Sequence, residues 1–471
     1  MNFKNSEVKD LVVVGTGIAG LNFIDKYLEK GKKIHVISPK SNQNFKKRGD
    51  NKIKILPSQM RGEYKKVYDY YSANNLNLRS GCKAIGALSF GGLTNYWGLQ
   101  IDSYIQNNQL HLKNKTCSEI KKYFIEFLKR YRLIGSFEEK KISYNNQFNI
   151  PPEFDNLKKN KEKLNCRKPI LAFSCFKKFK GDLNKLNENK QKLTADSIFK
   201  KIKNKKKIKI HNYYLEKILV KKGLIQIFCK NKGKKKILLS KKLVLASGTI
   251  ATTKILMEFL KIKKEIKIKH HPRLLSVFVS KKKLNYNLNF TPSLFQIMNN
   301  SEEGYFTADL RPGNKLITKS IIDAFPFIKP FEFIINIFRK RLIFSNFLLD
   351  SKFSNLYLKK KENKFDLYSK KNDLNAILKK KNKSIFKLLL RKGLILPIFK
   401  TFFPGYGADY HYFGSVPFAK KGKLAVNNNC QLLPFKNIYI VDGSVFDFRI
   451  NKYPLGIVAA NARRIAKYLS R

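Results

Sequence analysis

From Asp10 to Gly20 the chain reads DLVVVGTGIAG, a continuous apolar run entering a glycine turn. That pattern predicts a parallel strand buried on both faces. LNFIDKYLEKG follows as a helix that stops at Gly31, and KIHVISP is a second strand ended by Pro39. Residues 9–39 therefore predict strand, glycine-rich turn, helix and strand. From about 101 to 195 the chain is polar and rich in Lys and Asn, with helical fragments such as SEIKKYFIEFLKRYRLIG. From about 206 to 248, apolar and polar residues alternate around short turns, which predicts hairpins. From about 262 to 404, strands such as RLLSVFVS and SLFQIM mix with aromatic helices. Glycine-punctuated α/β motifs then return up to Arg471. The expected fold class is α/β, α+β overall. A discontinuous Rossmann-type cofactor domain, from residues 1–100, 201–261 and 405–471, interleaves with a substrate domain from 101–200 and 262–404. No internal repeat is visible.

Composition changes the picture in three places. A chain of 471 residues exceeds one ordinary core, in keeping with two domains, and 43% hydrophobic residues suffice for a packed interior. The formal net charge of +64 needs a decision. A surface so basic attracts nucleic acids and anionic membranes. Yet Lys far outnumbers Arg, Asn and Ile are abundant, and Lys is spread along the whole chain without a recognised nucleic-acid module. Drift in an AT-rich genome is the better account, and no specific nucleic-acid partner is expected. The charge still draws anionic ligands and membrane surfaces at low salt.

Six cysteines, at 82, 117, 166, 175, 229 and 430, form no CxxC pair and signal neither a zinc site nor a disulfide framework. With no secretory leader before the first strand, the expected compartment is the reducing cytoplasm. No uncharged apolar run reaches the ~18 residues of a spanning helix. The best candidate, Ile321 to Phe338, holds Asp323, Lys329, Glu332 and two prolines. A buried amphipathic segment is expected there, ahead of one lying peripherally on the inner face of a membrane.

Gly15, Gly17 and Gly20 form a GxGxxG at the first strand-to-helix junction. The first makes the tight turn, the second lets a pyrophosphate approach the backbone, and the third lets helix and strand pack closely. Helix N-terminal N–H groups then face the phosphates. An acidic residue normally ends the second strand and binds the adenosine ribose, but Ser38 stands there, a weaker hydroxyl contact. In SFGGLTNYWGLQ, Gly91 and Gly92 permit the backbone to pass flat against a ring system that Asn95, Tyr96 and Trp97 can surround. For Trp97 the alternative is core packing. KLVLASGTIATTKILM is a strand, a turn at Ser247 and Gly248, and a helix; NIYIVDGSVFDF is a strand ending in Asp442 and Gly443. YPLGIVAANARRIAKYL is a helix with Pro454 near its start, its N-terminus suited to a negatively charged atom.

The order GxGxxG, GGLTNYWG, VLASGTIATTKIL, HYFGS, IYIVDGSVF and YPLGIVAANARRIA resembles the glucose–methanol–choline (GMC) oxidoreductase family. The likeness covers the first 100 residues, the block from about 206 to 260 and the last 65; the middle is not diagnostic. It implies a tightly bound FAD, a substrate domain on an antiparallel sheet, and oxidation of an alcohol to a carbonyl. GGLTNYW is most similar to the pyranose-oxidising branch, whose motif has a histidine just before the tryptophan, in some members bonded to the flavin. Tyr96 occupies that place, implying a non-covalent FAD with Trp97 near the flavin edge. The implied partners are a small alcohol or sugar, a glycan-linked sugar among them, and an electron acceptor. The family's strand-end motif matches Asp442 and Gly443, which should contact pyrophosphate or ribitol; for Asp442 the alternative is a helix-capping turn residue.

Alcohol oxidation needs the hydroxyl proton removed while hydride leaves carbon. A neutral imidazole suits that task, its reference pKa of about 6.5 lying near working pH. His35 lies within a strand, His111 in a polar stretch, His211 at the start of a hairpin strand, and His270 and His271 before Pro272. His411, in GYGADYHYFGSVPF, matches the family motif whose histidine faces the flavin, which implies the catalytic base; a hydrogen-bonded core histidine is the alternative. The family's second catalytic position, His or Asn just before the proline of the last helix, is here Tyr453. Tyr453 can donate a phenolic hydrogen bond to the substrate oxygen, or Asn451 can reach in instead. The other reading is a flavin-binding protein that has lost alcohol oxidation and serves a structural or partner-binding role.

Overall fold

The computed structural model describes residues 7–39, 60, 62–79, 81–102, 112–139, 142–150, 152–154, 157, 164–176, 179–284, 293–299, 304–324, 326–370, 373–450 and 452–471. Val12 and Val13 have no exposed surface, as a strand covered on both sides requires. Their strand, Val8–Val14, pairs in parallel with Lys234–Leu245 on one side and Ile34–Ile37 on the other. Ile208–His211 extends the parallel arrangement beyond Ile34–Ile37, and Ile438–Ile440 pairs in parallel with the end of Lys234–Leu245. Tyr214–Lys221 and Leu224–Asn231 complete this seven-stranded sheet as an antiparallel meander. The hairpins expected over 206–248 are therefore present from Tyr214 onward. Ile208–His211 instead runs parallel at the sheet edge, where His211 stacks on His35 with ring centroids 5.3 Å apart.

Helices Ile18–Leu28 and Leu455–Leu469 pack together, and Asn114–Tyr131 lies against the latter in the same core as the parallel strands. Arg463, almost wholly buried, links all three through Asp25 (2.7 Å) and Glu126 (2.6 Å). Such a buried charge is tolerable only because carboxylates surround it.

The second large sheet is antiparallel and six-stranded: Ile395–Phe402, Arg273–Ser280, Leu342–Leu349, Phe306–Pro312, Phe295–Asn299 and Leu164–Arg167. Side chains alternate across such strands with a period of two. Leu274, Phe278, Ile343, Phe347, Ala308 and Leu310 form one face, packed on helix Leu374–Arg391. Arg273, Asn346, Asp309 and Arg311 fall on the other. A smaller sheet joins Leu76–Leu78 to Ile266–Ile268, Leu356–Lys361 and Lys364–Ser369. The architecture is thus mixed α/β, parallel where the terminal segments meet and antiparallel in the middle. The span 101–200 contributes to both parts, since Asn114–Tyr131 joins the first core and Leu164–Arg167 the second sheet.

The segment Ile321 to Phe338 departs from expectation. Its 3-10 turn Pro326–Phe331 and helix Glu332–Phe338 contain no buried residue. An amphipathic pattern announces an apolar stripe but not what covers it; here helix Lys315–Ala324 lies alongside, yet most of the large apolar side chains stay exposed. Among the described residues, no helix is long and apolar enough to cross a membrane.

Candidate active site

Two strand-to-helix turns and the start of a third helix define the site. Gly15 has φ +104 and its N–H donates to Ile37 O at 2.9 Å, so the chain reverses within one residue. A Cβ there would lie 2.3 Å from Ala246 O, and one on Gly20 would lie 2.1 Å from Gly15 O. These two glycines are packing requirements. Gly17 differs: its Cβ would meet nothing closer than Thr94 Oγ1 at 3.6 Å, so glycine there leaves bare backbone at the start of helix Ile18–Leu28. Gly248 precedes helix Thr249–Phe259 with φ +83 and open space around it. Pro454 precedes Leu455–Leu469. All three helix starts open on one cavity of about 360 Å³. Helix N-termini carry partial positive charge and unpaired N–H groups, which suits a ligand with several negative oxygens.

A second loop closes over the first. Gly91 N–H donates to Thr16 Oγ1 (2.9 Å), Thr16 Oγ1 lies 2.6 Å from Ser38 Oγ, and Ile18 N–H donates to Thr94 Oγ1 (2.8 Å). Thr16 and Thr94 had no motif to announce them, yet they hold the glycine turn, the end of Ile34–Ile37 and the GGLTN turn together. Ser38 is thereby tied to Thr16 while it lines the cavity, its hydroxyl keeping further hydrogen-bonding capacity. Trp97 lines the cavity while its Nε1 donates to Leu193 O at 2.8 Å, so it is wall and core at once. Tyr96 also lines it, its hydroxyl held by Lys66 Nζ at 2.6 Å.

Of the predicted residues, Gly15, Gly17, Ser38, Gly91, Gly92, Tyr96, Trp97, Ser247, Gly248, His411, Asp442, Gly443, Tyr453 and Pro454 all line this one cavity. Gly20 sits behind it as packing. Asn95 does not line it, contrary to expectation: its amide donates to Phe90 O (2.9 Å) and accepts from Ala195 N–H (3.1 Å), bracing the loop from outside. The Asp442 carboxylate is likewise committed, accepting from Gly248 N–H, Thr252 Oγ1, Ser444 N–H and Ser444 Oγ. It caps the 3-10 turn Gly443–Val445, and burial pushes its pKa upward. A carboxylate so tied fixes the turn and offers no partner to a phosphate. Asn451 and His111 lie outside the described residues.

His411 follows Tyr410, a non-glycine residue in the left-handed region at φ +65. Such backbone persists where its surroundings over-determine it. Asp409 supplies that restraint: its carboxylate accepts from His271 N–H (2.9 Å) and His411 N–H (3.3 Å) and bonds His270 Nδ1 (2.8 Å). His270 and His271 are thereby structural; neither lines the cavity. The His411 ring makes no hydrogen bond among the described residues, with Nδ1 buried and unpartnered. Burial brings its pKa down to about 4, partly opposed by the Asp409 carboxylate and assisted by Arg273. The imidazole is therefore neutral at physiological pH. It stands edge-on to Tyr453, ring centroids 5.4 Å apart.

Tyr453 is placed by Asp102, which accepts its N–H at 3.1 Å, and by Asn346 Nδ2, which donates to its hydroxyl at 3.0 Å. Its phenolic proton is left to donate into the cavity. Donor atoms of His271, Asp409 and His411 lie within 4.8 Å of one another, close enough for a metal ion. The Asp409 oxygens are already committed to three N–H groups or ring nitrogens, and Arg273 and Arg311 bring positive charge to the same cavity. The cluster serves better to aim His411 than to hold a cation. Arg273, Arg311, Asn346 and Asp409 escaped sequence reasoning; the available signal was charge within an alternating strand, as at Arg273 in RLLSVFVS. Among known proteins, no family and no curated sequence matches the chain.

Proposed function

We propose that the chain is an FAD-dependent oxidoreductase of the glucose–methanol–choline type that oxidises a CH–OH group. The observation that carries this reading is the convergence of three helix N-termini on a cavity that also holds a neutral, unpaired His411 beside Tyr453. The residues fit a dinucleotide: Gly17 keeps bare backbone at one of those termini, where neither packing nor its φ of −65° demands glycine, while Gly248 owes its glycine to φ +83 and leaves open space at a second. Gly15, Gly17, Gly91, Gly92, Ser247 and Gly248 would hold FAD, with Tyr96 and Trp97 in the wall. When bound, FAD supplies the acceptor for the hydride released from the carbinol carbon.

The chain's own groups do the rest. His411, neutral and without a hydrogen-bond partner for its ring among the described residues, takes the proton of the substrate hydroxyl. Tyr453, whose oxygen already accepts from Asn346, donates its proton in a hydrogen bond to the same oxygen. Arg273 and Arg311 set a positive potential where negative charge develops on that oxygen. Asp409 accepts the His411 N–H just past the left-handed Tyr410 and so fixes the backbone that carries the imidazole.

The test has two parts. Purified protein is yellow, and acid precipitation releases the FAD into the supernatant, because Tyr96 replaces a linking histidine; colour left in the pellet contradicts this. Anaerobic addition of sugars and polyols then bleaches the flavin. Full FAD content with no bleaching by any alcohol supports the alternative, a flavin-binding protein without alcohol chemistry.

A further inference from the structure

The antiparallel sheet turns a charged face to the cavity. Arg273, Asn346 and Arg311 come from three adjacent strands, on the side away from helix Leu374–Arg391. Arg273 donates through Nε to Asn346 Oδ1 (2.5 Å) and through Nη1 to Ala408 O (3.0 Å). Of five guanidinium N–H groups those two bonds use two, and Arg273 lines the cavity. Among the described residues, no carboxylate lies within ion-pair distance of Arg273. Arg311 donates to Gln100 Oε1 at 2.7 Å and reaches Asp309 only at 3.5 Å, and its Nε is buried with no partner. Asp309 itself is held by Gln100, Gln296 and Ser293.

A guanidinium cannot shed its proton to escape burial. Two of them line one partly open cavity: Arg273 lies over the Tyr410 ring with no carboxylate partner among the described residues, and Arg311 is half-paired, an arrangement suited to a ligand that brings negative charge. We propose that the alcohol oxidised here is an anion: its carbon skeleton bears a carboxylate or phosphate that Arg273 and Arg311 grip while the hydroxyl faces His411 and Tyr453. This rests on the reading of the cavity as an alcohol site and names the class of alcohol.

Calorimetric titration of the purified holoprotein at fixed ionic strength tests it without any turnover. D-glucuronate, D-glucose 6-phosphate and D-glucose are the probes. One of the two anions binds about 10-fold or more tighter than glucose, in line with charge-assisted bonding, and which one assigns carboxylate or phosphate. Arg273→Gln and Arg311→Gln each remove that preference, Arg273→Lys keeps part of it, and Lys360→Gln on an exposed strand leaves it intact. Equal binding of the three probes overturns the proposal. So does an anion preference that survives both glutamine substitutions, which assigns it to the surface charge. A protein purified without FAD overturns the flavin reading, while the arginine titration still decides this one.

A separate observation points to a partner outside the cavity. Between the strands Phe306–Pro312 and Leu342–Leu349 the chain leaves the sheet, and Phe327, Phe331, Phe333, Ile337 and Phe338 stand 50 to 74% exposed. Half of the exposed large apolar side chains among the described residues lie in this one excursion. Lys329, Arg339, Lys340 and Arg341 accompany them, with Glu332 the one acidic residue between Pro326 and Arg341. A contiguous apolar patch of this kind marks an interaction surface. Aromatic and branched side chains flanked by cations match the boundary of an anionic bilayer, with rings among acyl chains and Lys/Arg at the headgroups. We infer that residues 326–341 dock the protein peripherally on an anionic membrane.

Flotation with vesicles of phosphatidylcholine, alone or with phosphatidylglycerol, tests this. The wild-type protein floats with the anionic vesicles and stays with them at raised salt, where purely electrostatic binding is screened away. The triple variant Phe327→Ser, Phe333→Ser, Ile337→Ser loses about 10-fold or more in affinity, as removal of inserted apolar surface requires. Undiminished binding by that variant overturns the inference and leaves only bulk charge. A wild-type dimer that the variant converts to monomer, with no vesicle binding by either, overturns it in favour of contact between two copies.

Discussion

Replacing His411 with alanine leaves FAD bound and slows anaerobic flavin reduction by about 100-fold or more, the usual range for loss of a general base. The cavity-lining glycines at 15, 17, 91 and 92 are far from this substitution in sequence, and among the described residues the His411 ring forms no hydrogen bond whose loss would disturb the fold. The pH dependence has a definite sign. Burial lowers the pKa of the imidazole to about 4, so its basic form persists from neutrality down to roughly pH 5. In the wild-type protein the reduction rate is therefore nearly level across that interval and falls only as the pH drops through about 4. Stopped-flow absorbance over a pH series measures both effects. Unchanged kinetics in the variant, or a wild-type rate rising with pH through 6.5, places the base elsewhere.

Glycine substitutions produce the other large effect, and they separate folding from ligand binding. A Cβ on Gly20 meets the Gly15 carbonyl at 2.1 Å, and backbone cannot yield as a flexible side chain does. Gly20→Val forces helix Ile18–Leu28 off the first strand, costs about 1–3 kcal/mol or more as an overpacked core does, and eliminates bound FAD. Gly17→Ala has room, its nearest neighbour being 3.6 Å away, and its φ of −65° suits alanine. Stripped of FAD, that variant melts at the temperature of stripped wild type, while its FAD occupancy falls because the methyl group stands where a phosphate must approach. Differential scanning calorimetry with flavin absorbance distinguishes the two. Equal FAD content in Gly17→Ala and wild type would remove Gly17 from the binding surface.

Much of this architecture was legible because its signals are local. A buried parallel strand reads as an unbroken apolar run, and a tight turn into a helix reads as glycines at fixed offsets, so the turns at Gly15 and Gly248 and the helix after Pro454 were found without structural help. Side-chain roles within those turns were less accessible. Asn95 and Asp442 stand in ligand-binding motifs, yet both complete hydrogen bonds of their own loops. A polar residue at a turn serves either purpose, and only three-dimensional neighbours decide between them. Arg273, Arg311 and Asn346 were invisible for a different reason. In an alternating strand a charged residue ordinarily faces water; here the face opposite helix Leu374–Arg391 meets a cavity. The exposed rings of residues 327–338 show the same limit from the other side, since periodicity describes a stripe and is silent about its cover.

The pairing of helix Ile18–Leu28 with Leu455–Leu469 has a consequence for biosynthesis. Walls of one chamber are contributed from residues near 15, 91, 248, 411 and 453, so a growing polypeptide lacks the chamber until the last of these segments has been made. Until then the apolar strand near the beginning lacks Ile438–Ile440, the strand that completes its sheet. A ligand that needs every wall is accordingly captured only after all of these segments have emerged, and the early segments need shelter from aggregation until then.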